Sequence, residues 1–180
     1  RVTESLGNLF KMHWPYKQHK TSRNQKLLPY NEKLKKAGAC FGQSGEYERP
    51  MWYALGETKP NYEYSFNYQN WYPSVEQECK NTVENVGLFE LSPFSKYEIK
   101  GEKAYTDLQI LCTANIKNEV GKCTYTHMLN EGGGIETDLT VVCLDKNYFR
   151  INSSAAVRTH EKNHILKYLS KETEFKDVTD

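Results

Sequence analysis

Asp138 is the residue whose type and place most invite chemistry: it stands in the run IETDLTVV, just after three consecutive glycines, Gly132, Gly133 and Gly134. Aspartate is disfavoured in strands and costly to bury without a partner. In a strand expected to be largely buried, this carboxylate therefore needs a hydrogen-bonding group from the fold or from a ligand. Backbone amides or a neighbouring lysine would satisfy it as a purely structural residue. The glycines have two readings as well. They supply positive φ angles for a hairpin turn. Three in succession exceed what a turn requires, which points to close approach by another backbone or a flat ligand.

Other reactive residue types form weaker patterns. Cys40, Cys79, Cys112, Cys123 and Cys143 are odd in number and lack CxxC pairing, which predicts free thiols in a reducing compartment. Cys112 and Cys143 lie in the apolar runs LQILCTA and LTVVCL and read as small buried hydrophobes rather than nucleophiles. His160 and His164 stand one helical turn apart, but no nearby acid or cysteine completes a zinc pattern, so no metal is expected. GxGxxG after a strand, GxxxxGK[ST] and GxSxG are all missing, so a self-contained dinucleotide, P-loop or nucleophile-elbow site is absent.

The elements that must position Asp138 follow from periodicity. A helix is predicted over Tyr30 to Ala37 with Gly38 as its C-cap, then a short strand and a packed irregular segment through ACFGQSGEYERPMWYALG. Ser74 and Gln77 suggest a capping box for a helix ending at Gly87. Phe94, Tyr97 and Ile99 mark a strand stopped by Gly101. Ala104, Leu108, Leu111 and Cys112 share one face of a helix. A hairpin across the glycines comes next, then a strand near NYFRI and a last helix with Ile165, Tyr168 and Leu169 together. On the strand after the turn, Thr137, Leu139, Val141 and Cys143 share one face, and Glu136, Asp138, Thr140 and Val142 the other. Helices alternating with strands, and one clear antiparallel hairpin, indicate an α+β fold with an antiparallel or mixed sheet.

With 180 residues, 38% hydrophobic and 13% aromatic, the chain suits an ordinary globular core with a polar surface. No window reaches the length of a membrane span, and no signal-peptide core opens the chain, so a soluble protein without a membrane partner is expected. Residues 1–50 hold ten Lys and Arg against four acids, but no RNA or DNA motif accompanies them. A solvated face, or docking on an acidic neighbouring domain, is preferred over a nucleic-acid partner.

Longer motifs carry a resemblance. GACFGQSGEYERPMWYA resembles the segment of sarcosine and dimethylglycine dehydrogenases that joins their flavin domain to their folate-binding half. VGLFELSPFSKYEIKG and TYTHMLNEGGGIETDLTV are similar to the opening of that half, which resembles the glycine cleavage T-protein, an aminomethyltransferase. The resemblance spans about residues 12–170. It implies a partial aminomethyltransferase-like domain over residues 74–180, preceded by a connecting segment at 1–73. It also implies a parent enzyme in which an upstream FAD domain oxidises an N-methyl amine and tetrahydrofolate captures the one-carbon unit. In the family an aspartate after the Gly-Gly turn contacts the folate, and Gly133, Gly134, Ile135, Asp138 and Leu139 match that motif. A carboxylate beside a nitrogen nucleophile can accept its proton or stabilise cationic character. By the same resemblance Phe94 and Tyr97 line the folate cavity, as does the backbone of Ser153 and Ser154, although the T-protein has Asn where Ser154 stands; Tyr125 and Met128, which precede the turn, face either the ligand or the core. The chain is then expected to be part of a larger protein of the bacterial cytoplasm or mitochondrial matrix. The alternatives are a noncatalytic T-protein-like interaction or regulatory module, and a free-standing folate-dependent aminomethyltransferase.

Overall fold

The computed structural model describes residues 1–179 and divides into two compact units, Arg1–Ser92 and Pro93–Asp180. The first unit holds α1 (Val2–Asn8), β1 (Lys26–Leu27), α2 (Asn31–Lys36), β2 (Ala39–Ser44), β3 (Tyr47–Tyr53) and α3 (Tyr72–Glu84). Its sheet has the order β1-β3-β2. Gly38, with φ +85°, ends α2 as the sequence predicts.

Two local expectations need correction. The stretch read as one strand and an irregular segment is an antiparallel hairpin. Gly45 and Glu46 both have positive φ, which is the turn twist that paired strands favour. Pro50 hides the second strand from a sequence reading, because proline cannot donate to a ladder. It is tolerated here at a bulge, where Cys40 pairs with Trp52 and Phe41 with Pro50. Ser74 does not cap α3 but lies buried inside it, and the helix starts at Tyr72, with Pro73 in its first turn where a missing N–H costs nothing.

Glu48, from the ERP motif, is fully buried and accepts from Arg23 Nε at 2.8 Å and Nη2 at 2.5 Å and from the Asn24 amide at 2.8 Å. Burial pushes its carboxyl up, but the paired guanidinium outweighs that and holds it below the ordinary glutamate range. The motif residue is thus structural: it ties the 19–25 loop to β3.

The second unit holds β4 (Ser95–Gly101), α4 (Ala104–Leu111), β5 (Cys123–Leu129), β6 (Ile135–Asp145), β7 (Tyr148–Ser153), α5 (Arg158–Tyr168) and β8 (Thr173–Asp177). The five strands form an antiparallel sheet in the order β5-β6-β7-β4-β8. This confirms the α+β class. Tyr97, Ile99, Met128, Leu139, Val141, Cys143, Phe149 and Ile151 build the core from the inner face of the sheet. Ala104, Leu108 and Leu111 of α4, with Ile165 of α5, close it, and Tyr168 and Leu169 pack at its margin. Cys112 and Cys143 are buried free thiols, as their apolar neighbours suggest. Burial pushes the Cys112 thiol up to about 12, so it is not a nucleophile at neutral pH. The strand β8 is an addition that sequence periodicity did not indicate. Among the described residues no helix is long and apolar enough to cross a membrane.

Asp107 of α4 anchors the turn before β8. Its Oδ2 accepts from the Ser170 amide at 3.0 Å, Ser170 Oγ at 2.8 Å and Thr173 Oγ1 at 2.5 Å. Burial pushes this carboxyl up, but the three donors outweigh it and lower it below the ordinary aspartate range. A depressed folded value means that the unfolded chain binds the proton first on acidification. The stabilisation is therefore full above the ordinary aspartate range and is lost as pH falls through the depressed value. Urea midpoints of wild type and Asp107→Asn should differ at pH 7 and converge toward pH 3; a gap that stays constant would refute this.

Candidate functional site

Alternation along β6 sends Thr137, Leu139, Val141 and Cys143 into the core and Glu136, Asp138, Thr140 and Val142 to the outer face. The faces are those expected, but the burial of Asp138 is not. Within the described residues of this unit α4 and α5 pack on the inner face, and the Asp138 side chain is exposed and needs no buried partner. Its Oδ2 accepts from Tyr125 Oη at 3.0 Å, and among the described residues no other group bonds the carboxylate. That bond, with burial and the nearby charge adding to it, raises the Tyr125 phenol above its ordinary value.

Register completes the surface. His127 lies directly opposite Asp138, and Tyr125 opposite Thr140. Thr140 in turn pairs with Asn152, and Asn152 with Lys96. Tyr125 and His127 meet edge to face at 5.6 Å between ring centroids. The outer face thus offers an exposed carboxylate, a phenol, an imidazole and a row of short polar side chains, an arrangement that can accept a proton and bond a flat polar ring. Among the described residues no three His, Cys, Asp or Glu side chains gather as a metal site.

The structure separates the residues that the resemblance assigned to the ligand. Tyr125 joins Asp138 on the outer face. Tyr97 and Met128 point into the core, fully buried, and Tyr97 Oη donates to the Arg158 carbonyl at 2.9 Å. Ser153 is also inward, and its Oγ donates to the Asp138 carbonyl at 3.3 Å, behind the carboxylate. Ser154 Oγ accepts from the Ala156 amide at 3.3 Å and caps the 3-10 turn Ala155–Val157. Phe94 precedes β4 and is partly exposed. Thr140 shares the Asp138 face as alternation predicts, but His127 and Asn152 escaped the sequence reading: hairpin register would have found the first, and Asn152 requires the β6–β7 pairing.

The glycines have an internal explanation. Asn130 Oδ1 accepts from the Gly132 amide at 3.0 Å and the Gly134 amide at 2.9 Å, so its side chain fills the inside of the turn. Gly133 has φ +80°, and a Cβ on Gly134 would meet Asn130 Nδ2 at 2.9 Å. The close approach inferred from the third glycine is made by the turn's own asparagine. Asn130 Nδ2 also donates to Glu136 Oε1 at 2.8 Å, and Glu136 bonds His160 of α5. Those bonds, Asn130 first, hold the Glu136 carboxyl below its ordinary range. Lys167 and Tyr168 reach Glu131 at 2.9 and 3.1 Å, so the turn is pinned to α5 at two points.

Residues 30–180 match the GCVT N-terminal domain. The chain belongs to this family. The GCVT-type chain is 42% identical over 151 residues to the 4-methylaminobutanoate oxidase (formaldehyde-forming) of Paenarthrobacter nicotinovorans, covering 84% of the chain and 18% of that protein. It is 30% identical to the mitochondrial pyruvate dehydrogenase phosphatase regulatory subunit of Mus musculus, covering 99% of the chain and 21% of that protein. Mitochondrial dimethylglycine and sarcosine dehydrogenases are further relatives. The chain thus spans about a fifth of the length of these proteins. Aminomethyltransferase T from Bartonella henselae shares the fold, with a TM-score of 0.68 at 24% identity over 86% of this chain and 38% of that one.

Proposed function

We propose that this GCVT-type chain is the tetrahydrofolate-facing part of a flavin-dependent enzyme that oxidises an N-methyl amine, with Asp138 as the group that handles the proton during one-carbon transfer. The observation that carries the reading is the exposed Asp138 carboxylate, held by Tyr125 on the open face of the sheet. The outer face suits a pterin, whose flat ring carries N–H groups for a carboxylate to accept. Tetrahydrofolate supplies, when bound, the nitrogen nucleophile for the one-carbon unit. Asp138 accepts the proton that this nitrogen gives up, or balances the cationic character of the transferring carbon. Tyr125 holds Oδ2, which leaves Oδ1 toward the ligand. In this reading residues 74–180 belong to the folate-binding region and the preceding segment connects it to a domain carrying FAD. The substrate is an N-methyl amine such as 4-methylaminobutanoate, sarcosine or dimethylglycine, and the parent protein works in a bacterial cytoplasm or a mitochondrial matrix.

Similarity to a phosphatase regulatory subunit along nearly the whole chain favours one second reading, a noncatalytic interaction module. Calorimetric titration of the full-length protein with tetrahydrofolate separates the two. The expected result is saturable one-site binding that weakens when Tyr125 is replaced by Phe; absence of binding would favour the interaction module.

A further inference from the structure

Glu161 of the second unit is a carboxylate that the proposed chemistry leaves unused, and it is fully buried. It sits on α5 behind β6. Thr137 Oγ1 donates to its Oε1 at 3.2 Å, and Thr137 Oγ1 and Ser153 Oγ lie 3.3 Å apart. Ser153 Oγ in turn donates to the Asp138 carbonyl at 3.3 Å. The buried acid and the two hydroxyls are therefore gathered behind Asp138: Glu161 holds Thr137, the residue before it, and Ser153 beside Thr137 holds the Asp138 carbonyl.

Packing does not call for a carboxyl here. Its Oε2 is buried without a hydrogen-bond partner, and such a group destabilises a core that an aliphatic side chain would fill at no such cost. Burial, above all, raises the Glu161 carboxyl from its ordinary value, and the charge of Asp138 adds to that, against the hydroxyls of Ser153, Thr137 and Tyr97.

We infer that Glu161 is a positioning residue: through Thr137 and Ser153 it fixes β6 and β7 behind Asp138 and so aims the outer carboxylate at its ligand. This rests on the reading of Asp138 given above. An aim that is lost by a fraction of an ångström costs transfer rate far more than it costs binding.

The test is made on the full-length protein supplied with an N-methyl amine and tetrahydrofolate, reading the methylenetetrahydrofolate formed per amine oxidised. Glu161→Ala and the near-isosteric Thr137→Val should each lower that ratio by about tenfold while tetrahydrofolate affinity changes by less than about twofold. Glu161→Gln keeps the acceptor oxygen and should restore the ratio to within about twofold of wild type. Ile165→Val, a packing loss on the same helix, should leave it unchanged. The inference is overturned if Thr137→Val keeps the wild-type ratio, if Glu161→Gln is as impaired as Glu161→Ala, or if Ile165→Val lowers the ratio equally. Failure of the Asp138 reading looks different, because then Asp138→Ala itself leaves the ratio at its wild-type value.

Discussion

Replacing Asp138 with alanine in the full-length protein should lower the yield of methylenetetrahydrofolate per amine oxidised by about 100-fold, the low end of what a positioned proton acceptor contributes. The side chain is exposed and, among the described residues, bonded only by Tyr125, so its loss opens no cavity and orphans no buried partner. Folding and amine oxidation should stay close to wild type, and uncaptured formaldehyde should rise as the folate product falls. Asp138→Asn distinguishes proton acceptance from simple hydrogen bonding. The amide is nearly the same size and still accepts from Tyr125, but it cannot take a proton. A loss as large as that of the alanine variant would assign the effect to the proton; a yield near wild type would assign it to orientation. If both variants couple oxidation to folate normally, Asp138 is not the acting group.

Gly101→Ala should destabilise the second unit by roughly 3 kcal/mol or more, since it combines an unfavourable backbone conformation with a clash that only a strand displacement can relieve. Gly101 has φ +141°, and a Cβ there would meet the Glu172 carbonyl oxygen at 2.2 Å and Thr173 Cα at 3.2 Å. Both obstacles are backbone, so no side-chain rotation removes them. Gly101 is also in register with Thr173, so relief requires β8, the edge strand among the described residues, to separate from β4. The urea midpoint should drop, and amide exchange should accelerate first in β8. A variant with the wild-type midpoint and protected β8 amides would refute this account.

Gly101 shows where sequence reading stops. A glycine after alternating apolar residues announces the end of β4, and that much is local. That it must be glycine because the chain returns some seventy residues later and passes within contact of it is nonlocal. The same division separates the pieces of the site. The two faces of β6 follow from a period of two, which backbone geometry imposes on any strand. The antiparallel hairpin follows from the glycine run, because the positive φ of Gly133 is local to the turn. Pro50 illustrates the opposite case: a strongly local signal against a strand, overridden by a bulge that exists only because β2 lies alongside.

From sequence alone came the identity of Asp138 as the residue to question, the free and buried thiols, the α+β class and the family resemblance, since residue type and spacing carry them. The tertiary structure decided which face of the sheet the helices cover, and with it that Asp138 is exposed, that Tyr125 holds it, that Tyr97, Met128 and Ser153 lie on the far side, and that Glu161 is buried behind it. Burial is a property of neighbours brought together from distant parts of the chain: alternation sorts β6 into an apolar and a polar face, but whether the polar face is covered as well depends on which elements pack against it.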